Sequence, residues 1–127
     1  GLRADTYLEP AVLDRVPADA AVMNEETFGP VVGIHRVDTE ERALEVANSL
    51  PYGLAAYVYS GSLERGWRFA DRLEFGMVGV NVNDTTELSA PFGGWKLSGF
   101  GSELGREGLL AYTRPRSIRM RIDDVRP

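Results

Sequence analysis

Apolar and polar positions follow two periods along this chain, and each change of period marks an element. Val31 to Val37 is rich in β-branched residues and bounded by Pro30 and Asp38, which predicts a strand. Asp38 then stands three positions before Glu41, the spacing of a capping box that opens a helix. In that helix Ala43, Val46, Ala47 and Leu50 recur at helical spacing, while Glu40, Glu41, Arg42 and Glu45 take the wet face. Pro51 and Gly53 end it, and Leu54 to Tyr59 reads as a second strand. Ser62 caps a second helix with the stripe Leu63, Gly66, Trp67, Ala70 and Leu73. Gly76 stops it, and Met77 to Val82 is a third strand. Strand, helix, strand, helix, strand with short joints predicts an α/β fold: a parallel β-α-β-α-β block with crossover helices.

The flanks are less regular. Tyr7, Leu8, Val12 and Leu13 surround Pro10 as a short edge strand, and Pro17 to Met23 suggests a helical turn before Gly29-Pro30 breaks the chain. After a polar stretch from Asn83 to Glu87, five glycines fall between Gly93 and Gly105. A short helix is expected from about Glu103 to Tyr112. Ile118, Met120 and Ile122 alternate with Arg119 and Arg121, the two-residue period of a strand with one apolar face.

Composition narrows the chemistry. The 127 residues carry 14 Lys+Arg against 19 Asp+Glu, a formal net charge of -5. Arg114 to Pro127 holds five arginines and two aspartates, yet the acidic remainder argues against nucleic acid as a partner. No apolar run is long enough to span a membrane. There is no cysteine and one histidine, His35. These counts exclude a disulfide scaffold, a thiolate zinc site and a cysteine nucleophile within these residues. With no basic-then-apolar leader pattern, a cytoplasmic setting is expected.

Two stretches invite a chemical reading. Gly99-Phe100-Gly101 followed by Gly105 misses the G-x-G-x-x-G spacing by one residue and does not directly follow a strand. Close backbone crossing is the better account of those glycines. In Asn24 to Pro30, Glu25 and Glu26 are adjacent, so in an extended segment they point to opposite sides and do not share one reacting centre. Glu26 and Phe28 share a side, a carboxylate for hydroxyl groups beside a ring for a flat heterocycle. An exposed glutamate beside a core phenylalanine fits those two residues as well.

Several motifs in order resemble the NAD(P)-dependent aldehyde dehydrogenases. Glu25 to Val31 is similar to that family's E-E-x-F-G-P-V, and Asn48 with Tyr52-Gly53-Leu54-Ala55-Ala56 to its N-x-x-x-Y-G-L-A-A. Gly79-Val80-Asn81 resembles a family strand end, and Pro91 to Gly101 resembles P-F-G-G-x-K-x-S-G-x-G. Tyr112-Thr113 resembles the Y-T before the last family strand. Ser102 and Arg116 depart from the pattern, standing where Arg and Lys are common.

The resemblance implies the C-terminal segment of such an enzyme: residues 1–113 the end of the catalytic domain, residues 114–127 an oligomerisation strand and tail. It implies oxidation of an aldehyde to an acid with NAD or NADP, through a cysteine thiohemiacetal and thioester. The nucleophile, general base and oxyanion asparagine are then expected upstream, leaving these 127 residues inactive alone. By position, Glu26 matches the glutamate that bonds the nicotinamide-side ribose, and Phe28 the aromatic packing near the nicotinamide. Phe92 matches a residue near the substrate channel, and Asp84 and Thr86 fall in the segment shaping its mouth. The polarity of that segment points to a small or polar aldehyde such as a semialdehyde; a solvated loop explains it equally. A homodimer or homotetramer is implied, with no metal. The alternative is a catalytically inactive binding or oligomerisation module of the same family.

Overall fold

In the computed structural model, residues 3–4 and 7–121 are described. The first strands, β1 (Arg3–Ala4) and β2 (Tyr7–Leu8), pair antiparallel. Beyond Pro10, β3 (Ala11–Leu13) runs parallel to β4 (Val31–Gly33), so Pro10 separates two short strands where the sequence suggested one. Between them lies α1 (Ala21–Asn24), inside the expected helical turn.

The strand expected over Val31 to Val37 stops at Gly33. Its pairing follows the length of its partner: β3 ends at Leu13, and beyond it Ile34 N–H bonds Leu13 O and Val16 N–H bonds Ile34 O. Arg36 then forks onto Asp14 at 3.0 and 2.9 Å, and the His35 ring nitrogen Nδ1 lies 2.7 Å from Val16 O.

Helix α2 (Glu40–Asn48) starts one residue later than the capping box suggested. Thr39, not Asp38, is the cap: its hydroxyl accepts from Arg42 N–H at 3.1 Å. Leu44 is the buried residue of this helix, with Ala43, Val46, Ala47 and Leu50 half-buried around it. Next come β5 (Tyr52–Gly53) and β6 (Ala55–Val58). Helix α3 (Leu63–Arg72) is capped by Ser62 as expected. Its expected stripe divides: Gly66 and Leu73 are buried, but Leu63 and Trp67 are 76% and 72% exposed. The i and i+4 ridge of Leu63 and Trp67 points away from the strands, because buried Gly66 is the surface that α3 lays against Val80.

Strand β7 (Met77–Val80) pairs parallel with β6 from Ala55↔Met77 to Val58↔Val80. The β6-α3-β7 unit is thus a parallel crossover. The preceding strand β4 belongs to a separate ladder with β3, so the five-element block is split over two parallel pairs. Strand β8 (Trp95–Lys96) returns antiparallel to β5, a pairing the sequence did not suggest, and α4 (Gly105–Leu110) occupies the middle of the expected last helix. Residues 118–121 form no strand, and Ile122, the end of the expected closing strand, lies outside the described residues. No described helix is long and apolar enough to cross a membrane.

Two glycines fix how the pieces cross. A Cβ on Gly53 would collide with the Glu74 carbonyl oxygen, and one on Gly76 with the Gly93 carbonyl oxygen. Gly76 N–H bonds Gly53 O at 3.0 Å across that crossing. In the complete polypeptide, Gly53→Ala is expected to cost about 1–3 kcal/mol by overpacking, read as a lower denaturation midpoint.

Helices α2 and α3 are joined by one carboxylate. Glu40 Oε1 meets Arg65 at 2.6 Å and Oε2 meets Arg68 at 3.0 Å. The Arg68 hydrogen bond, with the charges of Arg65 and Arg68, holds the Glu40 carboxyl below its ordinary pKa. A depressed folded-state pKa stabilises the fold above the ordinary carboxylate range and loses that contribution as pH falls through the folded value. The Tm advantage of wild type over Glu40→Gln should therefore shrink as pH is lowered from neutral into that range, checked by thermal melts across pH.

Candidate functional site

The Glu25 to Pro30 segment is held at both ends. Upstream, Asn24 Nδ2 donates to Ala18 O at 2.7 Å and Ala20 O at 2.9 Å, closing the turn of α1, and Glu25 N–H bonds Ala21 O. Downstream, Val31 N–H bonds Gly29 O and β4 begins. Between these anchors the chain is extended at Glu25 and carries Glu26 and Phe28 on the surface. Phe28 is 95% exposed, so it is not a core aromatic among the described residues; its ring is free to cover something flat.

Met23, Asn24, Glu25 and Glu26 form one wall of a cavity of about 460 Å³. The opposite wall is Leu50, Tyr52, Leu54, Leu97 and Ser98. Both glutamates line this one cavity. The turn of α1 ends at Glu25, whose backbone is extended. Carboxylates and hydroxyls over an apolar floor suit a polyhydroxylated ring with a flat apolar neighbour.

A second cavity, of about 350 Å³, shares Leu54 and Ser98 with the first. Phe92 lines it with Phe100, Ser102 and Glu103. Phe92 and Glu103 exchange both backbone hydrogen bonds, at 2.8 and 2.7 Å, which folds the glycine-rich loop back on itself. The structure therefore places Glu26 and Phe92 in adjoining cavities. Asp84 and Thr86 line neither: Asp84 Oδ1 accepts from Thr86 N–H at 2.8 Å in a local turn, and both residues are exposed.

Three polar residues with no assigned sequence role prove central. Asn48 donates to Arg72 O and accepts from Glu74 N–H, both at 2.9 Å. Lys96 Nζ donates to Asn48 O at 2.8 Å and Leu50 O at 3.1 Å and pairs with Glu74 at 2.6 Å. Ser98 Oγ accepts from Gly53 N–H at 2.9 Å. Their signal in the sequence is position: Asn48 belongs to one short glycine-containing motif and Lys96 and Ser98 to another, where side chains must replace lost backbone bonds. Among the described residues, no group of three or more His, Cys, Asp or Glu could hold a metal ion.

This α/β arrangement, with an acidic extended segment facing a glycine-rich loop, has close counterparts. The model of the aldehyde dehydrogenase family matches residues 1–118. A succinate-semialdehyde dehydrogenase from Paenarthrobacter nicotinovorans is 46% identical over 112 residues, covering 88% of this chain and 25% of that protein. A probable NADP(+) succinate-semialdehyde dehydrogenase from Sinorhizobium fredii is 45% identical over 107 residues, covering 84% and 22%. The crystal structure of a Mycobacterium tuberculosis aldehyde dehydrogenase complexed with NAD+ superposes with a TM-score of 0.81 at 36% identity, covering 85% of this chain and 22% of that one. The chain belongs to the aldehyde dehydrogenase family. It spans about a quarter of the length of the curated relatives it matches.

Proposed function

We propose that this chain is the C-terminal part of a nicotinamide-dependent dehydrogenase that oxidises a semialdehyde to the acid. The observation carrying the reading is the wall formed by Glu25 and Glu26 with Phe28 exposed beside it, in a chain of this family. The residues fit the nicotinamide-side half of the cofactor: carboxylate acceptors for ribose hydroxyls and an uncovered aromatic face. When bound, the nicotinamide supplies the hydride acceptor that no side chain here provides. Glu26 orients the ribose by accepting its hydroxyl protons, and Phe28 limits where the ring can lie and keeps water from one of its faces.

The cysteine of the family's chemistry is not among these 127 residues, so the chain taken alone is read as inactive. Its own residues bind and orient. The names of the two semialdehyde relatives support the substrate class, as does the polar run Asp84-Thr85-Thr86-Glu87. Phe92, in the adjoining cavity, is assigned to the substrate side; Asp84 and Thr86 line neither cavity and are assigned to the channel mouth by their family position alone.

In the complete polypeptide, Glu26→Gln should raise the NAD(P)H dissociation constant about tenfold, the lower end for losing a hydrogen bond to a charged group. Phe28→Ala should slow single-turnover reduced-cofactor formation by a similar factor. Wild-type cofactor affinity and single-turnover rate in both variants would remove this reading.

A second part of the proposal concerns residues 114–127 as an oligomerisation strand of a homodimer or homotetramer. Ile118 and Met120, on one face of the alternating pattern, are 68% and 81% exposed. Such a face is stabilised by joining another sheet edge. Deleting Ser117 to Pro127 should lower the oligomer mass seen by light scattering; an unchanged mass refutes it.

A further inference from the structure

We infer that Lys96 is a positioning residue for the cofactor side of this site, acting through the cavity wall that faces Glu25 and Glu26. The inference rests on the proposed role of Glu26. Lys96 does not line the cavity itself. Its ammonium reaches the carbonyl oxygens of Asn48 and Leu50, at the C-terminal end of α2, and the Glu74 carboxylate beyond α3. A cation suits the negative end of a helix, and three oxygen acceptors satisfy the three donors of an ammonium.

Two costs show that this placement is imposed rather than incidental. The Lys96 backbone sits at φ 53°, in the left-handed region that long side chains seldom adopt. Its side chain is 24% exposed, so much of a strongly hydrated group has left water. What the surroundings gain is geometric. Tyr52 pairs with Lys96 across the β5–β8 ladder, and Leu97 N–H bonds Pro51 O at 2.8 Å. Ser98, two positions on, accepts from Gly53 N–H. All five residues of the wall opposite Glu25 and Glu26 (Leu50, Tyr52, Leu54, Leu97 and Ser98) therefore lie within four positions of an atom that Lys96 holds or of Lys96 itself. Releasing the ammonium unties the end of α2 and Glu74 from β8, and leaves the cavity width to the Leu97–Pro51 and Gly53–Ser98 bonds alone.

The test uses the complete purified polypeptide, with NAD(P)H fluorescence titration and steady-state kinetics on a semialdehyde. Lys96→Met keeps the length of the side chain and removes the donors. It is expected to raise the cofactor KM and the NAD(P)H Kd about 5- to 10-fold, with the aldehyde KM within about twofold of wild type. Lys96→Arg, which keeps a cation and several donors, is expected to recover most of the difference. A purely structural lysine would lower Tm and the active fraction yet leave the cofactor KM and Kd of the surviving enzyme at wild-type values; that result overturns the inference. If Lys96→Met does not fold, Glu74→Gln decides: about a threefold rise in both constants is expected, and unchanged constants overturn the inference. Glu26→Gln in the same series separates the two ideas. If it weakens cofactor binding while the Lys96 and Glu74 variants do not, only the positioning role falls; if Glu26→Gln binds as wild type, the ribose reading itself falls.

Discussion

Everything in the central part of this chain depends on backbones crossing where no Cβ can fit. Gly53 lies against the Glu74 carbonyl and Gly76 against the Gly93 carbonyl. Crossings that close leave some peptide groups outside any regular ladder, and buried peptide groups need partners. Side chains supply them. Asn48 bridges Arg72 O and Glu74 N–H, Ser98 receives Gly53 N–H, and Lys96 gathers Asn48 O, Leu50 O and Glu74. The glycines make the crossing possible, and the three polar side chains make it unique.

That crossing also explains how a poorly buried chain presents a defined site. Among the described residues, the apolar side chains below a tenth exposure are Val16, Leu44, Leu73 and Met77. Hydrophobic burial on that scale is small for a chain of this length. Local order around the cavities comes instead from hydrogen bonds that tie distant segments together, which restrict direction as well as distance. The wall opposite Glu26 is built this way. Phe28, Phe100 and Tyr112, by contrast, stand open. The curated relatives are about four times as long.

How much of this was legible in the sequence depended on whether the signal was local. The Ser62 cap, helix α3, the β6-α3-β7 crossover and the turn at α1 rest on neighbours a few residues apart, and their patterns read through. Helix α2 was shifted by one residue because Asp38 and Thr39 are both good caps, and only the chain's approach angle selects Thr39. Leu63 and Trp67 were placed in the core because periodicity marks a face without saying how wide the buried part is. The β5–β8 pairing was invisible: two residues on each side, some forty positions apart, leave no period. At the site, Glu26 and Phe28 were legible as a pair. That Glu26 shares a cavity with Leu97 and Ser98 was not, since it depends on long-range bonds of Lys96 and Ser98.

The adjacent carboxylates show why such bonds matter for the chemistry. Glu25 is extended, so alternation sets Glu25 and Glu26 on different sides of the chain, yet both border one cavity. Here Asn24 ties the preceding turn down with two hydrogen bonds, and the chain turns out of α1 at Glu25. Two negative charges at one opening favour a ligand that brings hydroxyl donors over one that brings further anions. A ribose meets that requirement; a phosphate does not. On the proposed reading the acidic segment therefore suits a ribose of the dinucleotide rather than its diphosphate, and the bonds of Lys96 and Ser98 tie together the segments that share this cavity.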